Sequence, residues 1–175
     1  MKKPTNPIWI ITPISRWKSD SNTYKKCANF AMDTKALPDD FKELLKLLNE
    51  HHVDYLVIGG YAVGFHGYVR TTGDLDIWVR ASQENAVNLY TALTRFGFSP
   101  SSFAEKLSLT EKTLIRFGVR PMQVKILTTI PGVTFDECYQ RKSTEMIDGV
   151  AVNFINLDDL TTNKLATGRL KDRPT

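Results

Sequence analysis

The stretch DYLVIGGYAVGFHGYVRTTGDLDIWV, residues 54–79, decides the fold that this sequence predicts. The run VDYLVIGG predicts a buried strand that ends at the pair Gly59-Gly60, and the segment YAVGFHG then predicts a short helix. The run LDIWVR, directly after Asp74, predicts a second strand. The segment therefore predicts a strand–turn–helix–strand unit whose polar side chains converge at one end.

Gly59 and Gly60 stand where the first strand ends and the helix begins. Because glycine has no β-carbon, a polyphosphate can approach this backbone closely, and N–H groups at the helix start can donate to its oxygens. Arg70 and Thr71 can add a bidentate guanidinium contact and a hydroxyl hydrogen bond to the same phosphates. These residues predict a phosphate-binding turn.

Asp74 and Asp76 lie two residues apart, so both carboxylates face the same side of the second strand. Two like charges this close repel, and a hard divalent cation such as Mg2+ relieves the repulsion while bridging to phosphate oxygens. Taken singly, a glycine pair after a strand is usually only a turn, and an Asp-x-Asp is usually a solvated strand end. The order and spacing of these features together favour a combined phosphate and metal site.

The composition is that of an ordinary globular chain. Its 175 residues, 42% hydrophobic and 24% charged, suit one domain with one core. A net charge of +4 permits contact with an anion or a nucleic acid without requiring either. No apolar run of about 18 residues is present, so we expect no membrane span. Cys27 and Cys138 fit no zinc or disulfide pattern, which favours reduced thiols in the cytoplasm.

The chain divides by composition into residues 1–36, expected to form a loosely structured N-terminal arm, and a compact domain at 37–175. Amphipathic spacing predicts helices in LPDDFKELLKLLNEHH, capped by Asp39 or Asp40, and in SQENAVNLYTALTRFGF, capped by Ser82. A closing helix is predicted in NLDDLTTNKLATG, capped by Asn156 or Asp158 and ended by Gly168.

Two hairpins complete the predicted sheet. TLIRFGV and MQVKILTTI are strand-like runs joined at Arg120-Pro121, and Asp148-Gly149 lies between two alternating segments. The predicted fold class is α/β (α+β), with a mixed, partly antiparallel sheet flanked by helices.

Residues 59–76 also resemble a known signature. The small bacterial nucleotidyltransferases of the DNA polymerase beta-like superfamily carry the pattern Gly-Gly-x-Ala, His-Gly, Arg-x-Thr-x-Asp-[apolar]-Asp. The matching residues here are Gly59, Gly60, Ala62, His66, Gly67, Arg70, Thr72, Asp74, Leu75 and Asp76. The likeness continues through LTTIPGVTFDECYQRKS, IDGVAVNFINLDDL and NKLATGRLKD, and so covers about residues 40–172. Relatives include abortive-infection toxins and toxin–antitoxin-type minimal transferases.

This resemblance implies a nucleotidyltransferase fold and transfer of a nucleoside monophosphate from a nucleoside triphosphate to an acceptor. Asp74 and Asp76 would hold Mg2+ or Mn2+, the two glycines would hold the triphosphate, and Arg70 would stabilise charge on the phosphates. The remaining candidate nucleotide contacts are Tyr61, Thr71, Thr72, Lys164 and Arg169. The acceptor stays open between RNA such as tRNA, a protein and a small molecule.

Lys125 departs from the family pattern. The superfamily places a third carboxylate on a later strand, and the segment VKILTTI puts Lys125 at that position. If Val124 and Ile126 point into the core, strand alternation turns Lys125 toward the site. An ammonium group there would compete with a cation for the acids, since a charge pair at about 4 Å is worth roughly 4 kcal/mol at an effective dielectric near 20, before desolvation.

Four interpretations of Lys125 remain open. The enzyme works with one metal ion plus Lys125, or another acid, Asp136, Glu137 or Glu111, takes the missing role. Alternatively, the chain is a catalytically weakened nucleotide-binding or toxin/antitoxin-type interaction module. A register shift of one residue would instead turn Lys125 to solvent.

Two further expectations concern His66 and the chain end. His66 is either a general base or a packing residue behind the glycine turn, and the packing role is favoured. In the family, the KD motif continues into a further helix, whereas this chain stops at Thr175. We expect a truncated last helix whose exposed apolar surface is covered by self-association with a partner subunit.

Overall fold

The computed structural model describes residues 8–10, 37–68, 72–99, 112–119 and 122–168. Its helices are α1 (Asp39–Glu50), α2 (Gly59–Phe65), α3 (Gln83–Phe96), α4 (Phe135–Gln140) and α5 (Leu157–Ala166). Its strands are β1 (Ile8–Ile10), β2 (Tyr55–Ile58), β3 (Leu75–Val79), β4 (Leu114–Val119), β5 (Met122–Leu127), β6 (Ser143–Ile147) and β7 (Val150–Phe154).

The strands form one mixed sheet in the order β1-β4-β5-β3-β2-β7-β6. The pairs β1–β4, β3–β5 and β2–β7 are parallel, whereas β2–β3, β4–β5 and β6–β7 are antiparallel. The predicted α/β class with a mixed, partly antiparallel sheet and flanking helices is therefore confirmed.

Strand β5 shows how the sheet separates a buried face from a more open one. Met122, Val124 and Ile126 are buried, and the residues between them are half-buried. Helices α1 and α3 pack against each other, and the Tyr55 hydroxyl donates to the Asn49 side chain of α1 at 3.1 Å. The apolar face of the sheet thus carries the core, which leaves the other face of β3, β4 and β5 for polar side chains.

Both predicted hairpins are present. Strands β4 and β5 pair from Leu114↔Leu127 to Val119↔Met122. At the second hairpin, Asp148 and Gly149 have φ values of 50° and 80°, the positive values that a tight turn between strands demands.

Predicted N-cap residues are observed in two of the three helices for which they were named. The Ser82 hydroxyl accepts from the Asn85 N–H at 3.2 Å, and the Asn156 side chain accepts from the Asp158 N–H at 2.9 Å. The prediction that Asp39 or Asp40 caps α1 is wrong, because Pro38 is the N-cap and makes no side-chain cap bond. Asp39 and Asp40 lie in the first turn, where their charge suits the helix dipole.

The first 36 residues contribute a strand that the sequence pattern did not indicate. Ile8–Ile10 pairs in parallel with β4, through Ile8↔Leu114 and Ile10↔Arg116. The rest of that segment lies outside the described residues, so the domain division at residue 36 stays a prediction. The predicted truncated last helix and covering subunit also concern residues beyond 168.

Two smaller findings concern the helices. No helix within the described ranges is long and apolar enough to cross a membrane. Cys138 in α4 is a buried free thiol, and burial, together with the nearby Asp159 carboxylate, raises its pKa to about 12. The thiol therefore stays protonated and unreactive at neutral pH.

Candidate active site

Four neighbouring strands bring the candidate site residues into one row. The strand registers pair Ile58 with Asp76, Asp76 with Lys125, and Lys125 with Arg116. Gly59 follows Ile58 directly, so the row runs from the glycine turn through the acid and the lysine to the arginine. Neighbouring strands are about 4.8 Å apart, which places these groups within reach of one ligand.

The glycine turn and the Asp76 carboxylate lie in direct contact. Gly59 has a φ of 68°, and a β-carbon built there would stand 3.0 Å from the Asp76 Cγ atom and overlap a carboxylate oxygen. A β-carbon at Gly60 would stand 2.7 Å from the Thr72 hydroxyl oxygen. The two glycines are therefore required because the Asp76 and Thr72 side chains occupy the space that their own side chains would fill.

Lys125 forms ion pairs with both acids. Its ammonium nitrogen binds the Asp74 carboxylate and lies 3.8 Å from Asp76 Oδ1. The exposed fractions of the Asp74, Asp76 and Lys125 side chains are 32%, 23% and 26%, so this cluster is partly open to solvent. The prediction that strand alternation turns Lys125 toward the acids agrees with this geometry, and the register shift that would turn it to solvent is wrong.

Asp136 and Glu137, which were proposed as replacements for the third carboxylate, interact with other residues. Asp136 forms an ion pair with Arg80, and Glu137 accepts a hydrogen bond from the Thr134 hydroxyl at 2.8 Å. Within the described residues, no group of three or more His, Cys, Asp or Glu side chains could hold a metal ion. Neither Asp136 nor Glu137 therefore completes the pair Asp74–Asp76, and Glu111 lies outside the described residues.

Arg116 extends this row of candidate site residues, and the sequence did not single it out. It is the cross-strand partner of Lys125, and its Nε atom is buried without a hydrogen-bond partner among the described residues. The signal was present in the segment TLIRFGV, because Ile115 and Phe117 are buried and alternation turns Arg116 to the opposite face.

Two aromatic residues of the signature have packing roles. Tyr61 is fully buried and packs edge-to-face on Phe41 with ring centroids 5.8 Å apart, so it belongs to the core, and its contact with a nucleotide stays a prediction. The His66 Nε2–H donates to the Ile155 carbonyl at 2.8 Å, which supports the packing role favoured from the sequence. His66 thereby ties the end of α2 to the chain that follows β7.

Of the other residues predicted to contact the nucleotide, the structure describes only two. Thr72 lies against Gly60, and its hydroxyl donates to the Asp74 carbonyl at 3.3 Å. Lys164 is half-buried on α5. Arg70, Thr71 and Arg169 lie outside the described residues, so their roles stay predictions.

A separate cavity of about 510 Å³ lies beyond the other end of β3. Trp78, Arg80 and Thr128 are among its lining residues. The Arg80 Nε–H donates to Asp54 Oδ2 at 2.8 Å, and its guanidinium lies 4.9 Å from the Phe135 ring centre. Because this cation is already paired with Asp54 and Asp136, the cavity has no unbalanced charge from Arg80 to offer a ligand.

A solved structure shares this architecture. It is the crystal structure of a putative nucleotidyltransferase from Thermotoga maritima, and the match has a TM-score of 0.51 and 17% sequence identity. It covers 75% of this chain and 84% of the other. The chain has the nucleotidyltransferase fold. No protein-family model matches the sequence, and no curated protein matches it.

The acids fit one divalent cation better than two. Asp74 and Asp76 supply oxygen ligands of the kind that Mg2+ prefers, but the third position of the row carries an ammonium group. The cluster of Asp74, Asp76 and Lys125 has a formal charge of −1, whereas three carboxylates would give −3. A cation held by these acids would compete with Lys125 for the carboxylates.

Proposed function

We propose that this chain transfers a nucleoside monophosphate from a nucleoside triphosphate to an acceptor hydroxyl. The observation that carries the proposal is the contact of the Asp76 carboxylate with the Gly59 backbone, which joins the candidate phosphate turn to the candidate metal ligands. The shared fold of the Thermotoga maritima protein supports the same activity.

Each part of the row has a distinct role in this reaction. The Gly59–Gly60 turn binds the β- and γ-phosphates, and Asp74 and Asp76 would hold a single Mg2+ or Mn2+. That ion supplies charge neutralisation on the phosphates when bound. Lys125 lies beyond Asp76 as seen from the glycines, and its ammonium group stabilises charge on the reacting oxygens there.

The bonds balance without a further reactant. The acceptor oxygen forms a bond to the α-phosphorus, and the bond between that phosphorus and the α–β bridging oxygen breaks. Pyrophosphate leaves with that oxygen, and the proton of the acceptor hydroxyl passes to solvent. Positioning and charge stabilisation supply most of the catalysis in such transfers.

A second candidate function follows from the ion pairs of Lys125. A resident ammonium bound to both acids opposes metal entry, so the same pocket would hold a nucleotide without turnover. The chain would then be a nucleotide-binding module or a module that pairs with a toxin or an antitoxin. Lys125 is the residue that separates the two candidates.

The test of the site is nucleotide binding in the presence of Mg2+. The double variant Asp74→Asn/Asp76→Asn should lose binding of ATP, GTP, CTP and UTP measured by calorimetry. The matched control is Glu145→Gln/Asp158→Asn, which removes the same charge at two exposed positions. Unchanged binding in the site variant would refute the assignment.

The test of the reaction is label transfer. The wild-type chain is incubated with each α-labelled nucleoside triphosphate and a cell extract, and pyrophosphate release is measured in parallel. Nuclease and protease treatment then show whether the labelled acceptor is RNA, a protein or a small molecule. Nucleotide binding without any label transfer or pyrophosphate release would favour the binding module.

A further inference from the structure

We infer that Arg116 binds a phosphate group on the acceptor, an assignment that rests on the proposed function. Arg116 is the last described polar residue of the row that begins at Gly59, and it stands next to Lys125 on the side away from the glycines.

The order of residues across the sheet sets the direction of the reaction. In a phosphoryl transfer, the attacking and leaving oxygens lie roughly in line on opposite sides of the phosphorus. If pyrophosphate leaves at Gly59–Gly60, the acceptor must approach from beyond Asp76. Lys125 and Arg116 occupy that side, at about one and two strand spacings from Asp76.

The charges of the row favour an anion at Arg116. Lys125 is paired with two carboxylates, whereas Arg116 has no ion pair and its buried Nε has no hydrogen-bond partner in the part of the chain that the structure describes. Like charges directly opposite each other on neighbouring strands destabilise a sheet. A bound anion would relieve this repulsion and bring a hydrogen-bond acceptor to the guanidinium.

Phosphate is the anion that suits this side chain and this reaction. The planar guanidinium can donate two parallel hydrogen bonds to phosphate oxygens, which a lysine cannot reproduce. An acceptor that carries a phosphate near its reacting hydroxyl would be positioned by Arg116 while that hydroxyl lies at Lys125. A phosphodiester chain and a phosphate monoester share this chemistry.

The experiment measures two ligands separately by fluorescence anisotropy with Mg2+ present. One is a fluorescent nucleotide analogue with a non-hydrolysable α–β link, and the other is a short labelled single-stranded RNA with a free 3′ hydroxyl. Arg116→Met removes the charge and keeps the length of the side chain. Arg95→Met is the matched control at an exposed position on α3.

The expected result is a loss confined to the RNA. Arg116→Met should weaken RNA binding about tenfold and lower the slope of its salt dependence by about 0.7, the value for one phosphate contact on a single strand. Arg116→Lys should keep the salt slope and recover only part of the affinity. Nucleotide binding should change less than about twofold in both variants, and Arg95→Met should change neither ligand.

Other outcomes are distinguishable. Equal losses of nucleotide and RNA binding would place Arg116 on the nucleotide side, and unchanged RNA binding would remove it from the acceptor side; both overturn the inference and leave the proposed function standing. Failure of the wild-type chain to bind the nucleotide analogue would overturn the proposed function itself.

Inorganic phosphate as a competitor identifies the source of the phosphate. Displacement of RNA from the wild-type chain but not from Arg116→Met indicates a phosphate monoester, whereas a loss of RNA affinity without such displacement indicates a phosphodiester chain. Thermal unfolding of Arg116→Met should match the wild type, because the removed Nε–H has no partner among the described residues.

Discussion

The Asp76 side chain lies directly against the backbone of Gly59, so that a β-carbon at residue 59 would stand 3.0 Å from the Asp76 Cγ atom. Gly59 directly follows Ile58 of β2, and Ile58 pairs with Asp76 of the neighbouring antiparallel strand β3. The glycine turn and the acidic pair are therefore one structural unit, and a change to either one must move the other.

The first prediction is that Gly59→Ala removes nucleotide binding. Alanine would adopt the φ of 68° at a cost of about 1–2 kcal/mol, and its β-carbon would also push the Asp76 carboxylate out of place. Urea unfolding measures the stability, and calorimetry with a nucleoside triphosphate and Mg2+ measures the binding.

Gly67→Ala is the control for strain alone. Gly67 also has a positive φ, 91°, but a β-carbon there would meet no atom within 4 Å. It should cost about 1 kcal/mol and leave nucleotide binding intact. Equal effects of the two variants on nucleotide binding would show that the contact with Asp76 is unimportant.

The local order of the elements could be predicted because it depends on neighbouring residues. Alternation in VKIL placed Lys125 on the face of the acids, and Asp148-Gly149 marked a hairpin, since two consecutive positive φ values favour that pair. The signature from Gly59 to Asp76 likewise brought together residues that are close in sequence.

Long-range pairing explains what the sequence did not predict. Arg116 joins the row only because β4 pairs with β5 and β5 with β3, so its neighbours are set by sheet order. The pairing of Ile8–Ile10 with β4 is also a long-range choice that a three-residue strand does not reveal. The packing of the Tyr61 ring against Phe41 of α1 is likewise a contact between elements that are distant in sequence.

The second prediction is that Lys125→Asp increases metal affinity. The change replaces an ammonium that is bound to both acids with a third carboxylate, so cation binding should strengthen by at least about tenfold, or ~1.4 kcal/mol. Calorimetric titration with Mn2+ measures the affinity directly and without any acceptor. Lys125→Gln should lie between the wild type and Lys125→Asp.

Lys46→Asp is the matched control for this charge reversal. Lys46 lies on α1 with 66% of its side chain exposed, and its ammonium nitrogen lies 3.7 Å from Glu50 Oε1. The same change in net charge at this position should leave Mn2+ affinity at the candidate site within about twofold, since exposed charges are screened by salt. Equal Mn2+ affinities in Lys125→Asp and the wild type would disprove the competition between Lys125 and the cation.

The third prediction concerns Asn85, a buried amide that positions the end of β3. Its Oδ1 accepts from the Asp54 N–H at 2.8 Å, and its Nδ2 donates to the carbonyls of Asp54 and Arg80 at 3.1 and 3.0 Å. Because Asn85 is only 3% exposed, water cannot easily replace these bonds in Asn85→Ala. The free energy of unfolding should fall by about 2–4 kcal/mol in urea titrations.

Asn88→Ala on the same helix isolates the effect of burial. Asn88 makes one exposed hydrogen bond, from its Nδ2 to the His52 carbonyl at 3.2 Å, so its loss should cost only about 0.5 kcal/mol. Asn85 lies on α3 and contacts the chain just after β3, whereas Asp74 lies just before β3. The Asn85→Ala protein that remains folded should therefore bind nucleotide as the wild type does. A stability loss no larger than that of Asn88→Ala would mean that the three backbone groups of Asp54 and Arg80 find other partners.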